Sequence, residues 1–326
     1  MSIFGQSLYS MLGVPETESE KAFDTYRFYL ECFKDDLKEE YSNLDNLAKK
    51  IWAEYQSLTF GTGTIDQKII RRFLFIAWNT EYLAKTNISP DVEVIKISNQ
   101  WRPIQAYYSI YSAGEAVSYV LNGTLTESHA KCIKNLNTFF VERAKIRPWY
   151  FAYSGNNRKG FTPHNLPSGA KPINNLSRKN TKHIDVIATC LQAEHRNRID
   201  DFEPRKLTKE QKKKGEKKLL KVDYDPKYTT LLNFLYRLRI KSNYKDAEIF
   251  ISNSPDSYVK DFSKNLSILV NATLILLEML IIKQWGLANF EKLFNDYLKS
   301  IKLPNANGEL PIKQRMEIYK KIISIK

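Results

Sequence analysis

Ile104-Gln-Ala-Tyr-Tyr-Ser-Ile-Tyr-Ser-Ala-Gly-Glu-Ala-Val117 and Leu238-Arg-Ile-Lys-Ser-Asn-Tyr-Lys-Asp-Ala247 lie more than a hundred residues apart and read as two halves of one helical site. Pro103 suits the first position of a helix, because its missing N–H would go unpaired there in any case. From it, Ile104, Tyr107, Tyr108 and Tyr111 fall on one face at helical spacing. That helix is expected to end near Asn122-Gly123. In the second stretch four residues separate Arg239 from Tyr244, with Asn243 just before the tyrosine.

Outward from these stretches, nearly every ordered segment has helical periodicity. Acids from Glu16 to Glu20 oppose a helix dipole, and Phe23, Tyr26, Phe28, Tyr29 and Phe33 supply an apolar face, so a helix is expected from Glu18 to Tyr41. Further helices are expected over 43–58, 65–85, from Thr126 or Ser128 to about Arg143, and from Asp225-Pro226 through Tyr244 to about Ile251. The alternation Val92-Glu-Val-Ile-Lys-Ile97 predicts a short strand. Beyond Pro148, glycines and prolines interleaved with Asn and Ser predict a long irregular excursion, briefly helical from Ile184 to Ala193. Pro255 opens an apolar helix to Trp285, and shorter helices cover 288–301 and 311–325. The run from Leu266 to Ile282 carries Asn271 and Glu278, which suits a buried bundle helix better than a membrane span.

The chain of 326 residues carries a net charge of +14, unevenly placed. Residues 1–100 hold 11 basic and 15 acidic residues, a balance of −4, whereas residues 151–222 hold 17 basic and 7 acidic, a balance of +10. A locally basic stretch on a mixed chain is the footprint expected for a polyanion, since each neutralised phosphate releases counterions. For Lys209-Glu-Gln-Lys-Lys-Lys-Gly-Glu-Lys-Lys218 alone, a solvated linker is the better reading. Cys32, Cys132 and Cys190 are too few and too scattered for a disulfide framework, and no CxxC pair opens a zinc site. With no basic, apolar leader at the N-terminus, a cytoplasmic location without membrane partners is expected. The histidines at 129, 164, 183 and 195 show no HExxH spacing, and no P-loop, GxSxG or GxGxxG occurs, so neither metal nor cofactor is expected.

The paired tyrosines followed by small residues one turn on, the Gly123-to-His129 spacing and the Arg239-x4-Tyr244 pattern come in one order. In that order they resemble the HEPN superfamily of prokaryotic RNA-binding and RNase four-helix bundles. The resemblance covers residues 102–147 and 227–286. It implies an all-α protein with four parts: an N-terminal helical domain over 1–100, a HEPN-like bundle from 101–150 and 223–300, a basic loop-rich insertion over 151–222, and a C-terminal helix over 301–326. It also implies a homodimer, or a complex with a defence-system protein.

Active members of that superfamily carry a histidine where this chain has Tyr244. A phenol of pKa near 10 stays protonated at neutral pH and is a poor general base. The departure implies an accessory, nucleic-acid-binding version, with RNA ahead of DNA, in a bacterial or archaeal defence or toxin–antitoxin system. Two alternatives stand beside it: a metal-independent RNase using Arg239, Asn243 and Tyr244 with His129 or another histidine, and a helical interaction scaffold. In the bland reading Arg239, Asn243 and Tyr244 pin two helices, and Tyr107 and Tyr108 are core. A literal Arg-x4-His occurs at Arg178-Lys-Asn-Thr-Lys-His183, outside the expected helix order. With Lys179, Lys182, Arg196 and Arg198, Arg178 and His183 form candidate phosphate contacts.

Overall fold

The computed structural model describes residues 16–60, 65–86, 91–155, 160–174, 181–206, 226–245, 247–251, 254–301 and 310–323. The described residues are all-α apart from one short hairpin. In chain order the helices are α1 (Glu16–Tyr41), α2 (Leu44–Gln56), α3 (Gln67–Thr86), α4 (Val92–Asn99), α5 (Arg102–Asn122) and α6 (His129–Phe139). After strands β1 (Ala152–Ser154) and β2 (Thr162–His164) come α7 (His183–Lys206), α8 (Leu231–Ile240), α9 (Asp256–Trp285), α10 (Leu287–Ser300) and α11 (Pro311–Ile323).

Local chemistry sets many of the ends. Asn43 accepts a hydrogen bond from the Asn46 N–H and starts α2, and Gly123 takes the left-handed conformation that closes α5 at φ 71°. Thr230 and Asn233 form a reciprocal capping box at the start of α8. Residues 92–97 form a helix, not the expected strand. Asp91 accepts from the Glu93 N–H, and Ile95 and Asn99, one turn apart, are buried. The β-branched alternation that suggested a strand therefore also fits a helical face.

Helix α9 is the axis of the core. It is long and apolar enough to cross a membrane, yet 83% of its most apolar stretch is buried inside the protein. Helices α1, α2, α4, α5, α10 and α11 pack around it, and α5 lies between α9 and α3. Buried side chains of α1 to α4 and of α5 to α11 belong to one continuous apolar core. Each fully buried large apolar side chain contributes about 1.5–3 kcal/mol. Polar groups on several helices pair inside it: Tyr55 donates to the Leu276 carbonyl at 3.0 Å, and Trp149 to Thr273 Oγ1 at 3.0 Å.

The deepest polar cluster surrounds Glu278, the acid that interrupts the apolar run of α9. Its carboxylate accepts from Trp78, Tyr319 and Arg315, at 2.8, 2.6 and 2.8 Å, and Arg315 also binds Glu81 at 2.6 and 2.9 Å. Charges so deep persist only when they are paired and hydrogen-bonded. Residues from α3, α9 and α11 are thereby fixed to one another.

The excursion after Pro148 is less irregular than its composition predicts. β1 and β2 pair antiparallel, with Ala152 opposite His164, and Tyr153 bridges to Thr229 just before α8. Instead of a brief helix over 184–193, α7 runs 24 residues and buries Val186, Ile187, Cys190 and Leu191 beside α1 and α8. Its second half is anchored by polar residues, which hid it from an apolar pattern: Glu194 pairs with Arg237 at 3.0 Å, and buried His195 bonds Thr229 and the Gly155 carbonyl.

Candidate functional site

Helix α5 carries Tyr107, Tyr108 and Tyr111, and α6 begins at His129 beside them. Two contacts bring the helices close. Glu115 accepts from the Thr126 N–H at 2.8 Å and from the Thr126 hydroxyl, which draws the α5–α6 connection onto α5. At Gly114 a Cβ would lie 2.9 Å from Leu136 Cδ1 and 3.1 Å from Cys132 Sγ, so the approach depends on the missing side chain. Burial, with Glu115 nearby, pushes the Cys132 thiol up to about 12, leaving it inert.

Helix α8 delivers the third side. Asn137 of α6 donates to Asn233 Oδ1 at 2.6 Å and to the Tyr228 carbonyl at 3.1 Å, while Thr230 donates to Asn137 Oδ1 at 2.7 Å. This buried lock holds α6 against the first turn of α8, and two turns on from it stand Tyr236 and Arg239.

The result is a half-exposed aromatic and cationic cluster. Arg239 Nη2 donates to the Tyr108 hydroxyl at 2.8 Å, and the guanidinium carbon lies 5.2, 5.9 and 5.9 Å from the ring centres of Tyr108, Tyr107 and Tyr236. A hydrogen bond from a charged group contributes about 1.5–3 kcal/mol, against about 0.5–1 kcal/mol for an exposed cation–π contact. The Tyr108 bond therefore sets the orientation of the guanidinium. His129 packs at 4.0 Å from the Tyr111 ring centre and 5.4 Å from that of Tyr107.

Electrostatics fix the protonation of the cluster. Burial raises the Tyr107 phenol far above its ordinary value, outweighing the opposite pull of Arg239, so Tyr107 keeps its proton. Burial also lowers the His129 pKa, and the Arg239 charge lowers it further against the attraction of Glu115. At neutral pH the imidazole is uncharged. Nδ1 shares a hydrogen bond with the Tyr107 hydroxyl at 3.0 Å, its direction set by the tautomer, and Nε2 is the ring's second hydrogen-bonding atom.

The structure thus brings together Arg239, His129 and the tyrosine pair, three features read from the sequence. Asn243 and the backbone of Tyr244 lie in a π-helical turn, Lys241–Lys245, that interrupts the helix directly after α8; the Tyr244 side chain lies outside the described residues. Tyr236 was missed, although its spacing three residues before Arg239 places it on the same helical face.

The basic excursion divides. Lys182 and Arg196 are exposed, but Arg198 is committed to the Tyr228 carbonyl at 2.9 Å and Thr229 Oγ1 at 2.6 Å. His183 Nε2 stands 3.3 Å from Asp36 and 3.2 Å from Glu39, an acidic neighbourhood on α1. Arg178 and Lys179 lie outside the described residues. Among the described residues no group of three or more His, Cys, Asp and Glu side chains is arranged to hold a metal ion. Compared with protein-family models, curated proteins and solved structures, the chain gives no match.

Proposed function

We propose that this chain binds nucleic acid, RNA ahead of DNA, as a HEPN-like accessory protein of a prokaryotic defence or toxin–antitoxin system. The observation that carries the reading is the convergence of Arg239, His129, Tyr108, Tyr111 and Tyr236 at one half-exposed place, backed by the buried Tyr107 ring. An oriented guanidinium suits a phosphate, and accessible ring faces suit an unstacked base. Nε2 of the neutral imidazole adds one further hydrogen-bonding atom for a base edge. Lys182, just before α7, and Arg196 within it supply exposed cations for further phosphates.

The RNase alternative draws on the same convergence, since an arginine and a histidine from separate helices share the cluster. One feature weighs against it: Tyr244 stands where active members of the superfamily carry a histidine, and a phenol is a poor general base near neutral pH. The decisive experiment is fluorescence anisotropy of labelled single-stranded RNA with the purified chain, followed by incubation of the same RNA in EDTA. The accessory reading expects binding weakened about tenfold, or about 1.4 kcal/mol, by Arg239→Ala, and intact RNA. Robust cleavage that disappears in Arg239→Ala would replace it with the RNase reading, and no RNA affinity at all leaves the scaffold.

A further inference from the structure

On the far side of α5 from the proposed cleft, a cavity of about 580 Å³ opens among α3, α4, α5, α9 and α11. Its wall is mostly hydrocarbon, from Ala84, Ile95, Ala106, Leu266, Val270 and Pro311. The volume falls within the range of small-molecule sites, which are concave, largely apolar and equipped with a few polar groups that fix orientation.

The charges around this cavity are mostly positive. Its lining includes Arg102, Lys85, Lys260 and Lys264 against a single carboxylate, Glu81. Both oxygens of Glu81 already accept from Arg315, at 2.6 and 2.9 Å, so its charge is answered from behind the wall. Arg102 is only 2% exposed, at the first turn of α5. Burial lowers its pKa to about 10, which still leaves it charged at neutral pH. Lys260 and Lys264 lie one turn apart on the exposed side of α9, and neither has a carboxylate partner among the described residues. An apolar chamber with a buried guanidinium in its wall and lysines at its rim matches a ligand that has a hydrocarbon body and one anionic end.

We infer that this cavity is a binding site for an amphiphilic carboxylate of the fatty-acid class, its chain among α5, α9 and α11 and its head among Arg102, Lys260 and Lys264. The charges select the head, since an acid gains attraction that the corresponding alcohol lacks and a cationic detergent meets repulsion. The apolar wall selects the tail, because each buried methylene adds about 0.8 kcal/mol. This site is independent of the nucleic-acid reading: none of its residues belongs to the Arg239 cluster.

The test is calorimetric titration of the full chain with dodecanoate, dodecanol and dodecyltrimethylammonium, all below their micellar concentrations. Saturable binding of one dodecanoate per chain is expected, with the alcohol and the cation at least about tenfold weaker. Lys260→Glu with Lys264→Glu should weaken dodecanoate about tenfold or more, and Ser267→Trp, on the half-exposed wall, should block it, each with an unchanged thermal melt. Arg239→Ala should bind dodecanoate as the parent does. Equal affinity for the three amphiphiles, undiminished binding in the Lys260/Lys264 variant, or no saturable dodecanoate binding overturns the assignment. So does a cavity closed by a second copy of the chain, seen as a dimer that neither dodecanoate nor Ser267→Trp perturbs.

Discussion

The Tyr107 hydroxyl lies 3.0 Å from Nδ1 of His129, and this bond ties the imidazole at the start of α6 to the buried Tyr107 of α5. It orients the ring and leaves Nε2 as its second hydrogen-bonding atom.

Because burial and Arg239 lower the His129 pKa, the unfolded chain takes up this proton at a higher pH than the folded one. The histidine's share of stability is therefore complete above the unfolded value near 6.5 and declines as pH falls from there toward the folded value. An NMR titration of the imidazole carbons should place His129 below the ordinary value. Arg239→Ala should move it upward, and an unchanged titration in that variant would remove the charge coupling.

Gly114→Ala should destabilise the protein by about 1–3 kcal/mol, because the added methyl meets Leu136 and Cys132 across the closest approach of α5 and α6. Urea denaturation measures it. A neutral outcome would mean that α6 can move away without penalty.

Arg315→Met leaves Glu81 and Glu278 buried without their shared cation, a change expected to cost about 3–5 kcal/mol. The loss should lessen at lower pH. Burial raises the Glu81 pKa, so the folded chain holds this carboxyl's proton to higher pH than the unfolded chain does, and its protonation relieves the unpaired charge. Denaturation curves of parent and variant at acidic and neutral pH should converge on the acidic side.

If Lys182 and Arg196 both meet phosphates of single-stranded RNA, neutralising them together should reduce the slope of log affinity against log salt by about 1.4. The effect should be the same across sequences. A parental slope in the double variant would take α7 out of the binding surface.

Much of this was legible in the sequence. Helical periodicity and breaker residues locate most helices to within a few residues, and the tyrosine pair, His129 and Arg239, whose order along the chain suggests one helical site, lie together in the fold. What escaped has physical reasons. Residues 92–97 suit both a strand and a helix, and only the Asp91 cap with the burial of Ile95 and Asn99 separates the two. Helix α7 continues past Ala193 because Glu194 and His195 find partners in α8 and around β1, and no local pattern advertises polar anchoring. Glu278 is visible in the sequence as an interruption of an apolar run. Its partner Arg315 lies 37 residues further on, and Glu81 is 234 residues from that arginine, distances over which pairing leaves no local trace.

The place of α9 at the axis of the core has a consequence for biosynthesis. Tyr55 bonds the Leu276 carbonyl across 221 residues, and Trp78 bonds Glu278 across 200. Helices α1 to α5 therefore leave the ribosome long before the surface they must cover has been made, and loop closure over such spans slows folding. Until α9 emerges, Phe23 lacks its partner Phe262 and Tyr55 its acceptor at Leu276, so the nascent chain keeps core side chains uncovered over an extended window in which aggregation competes with folding.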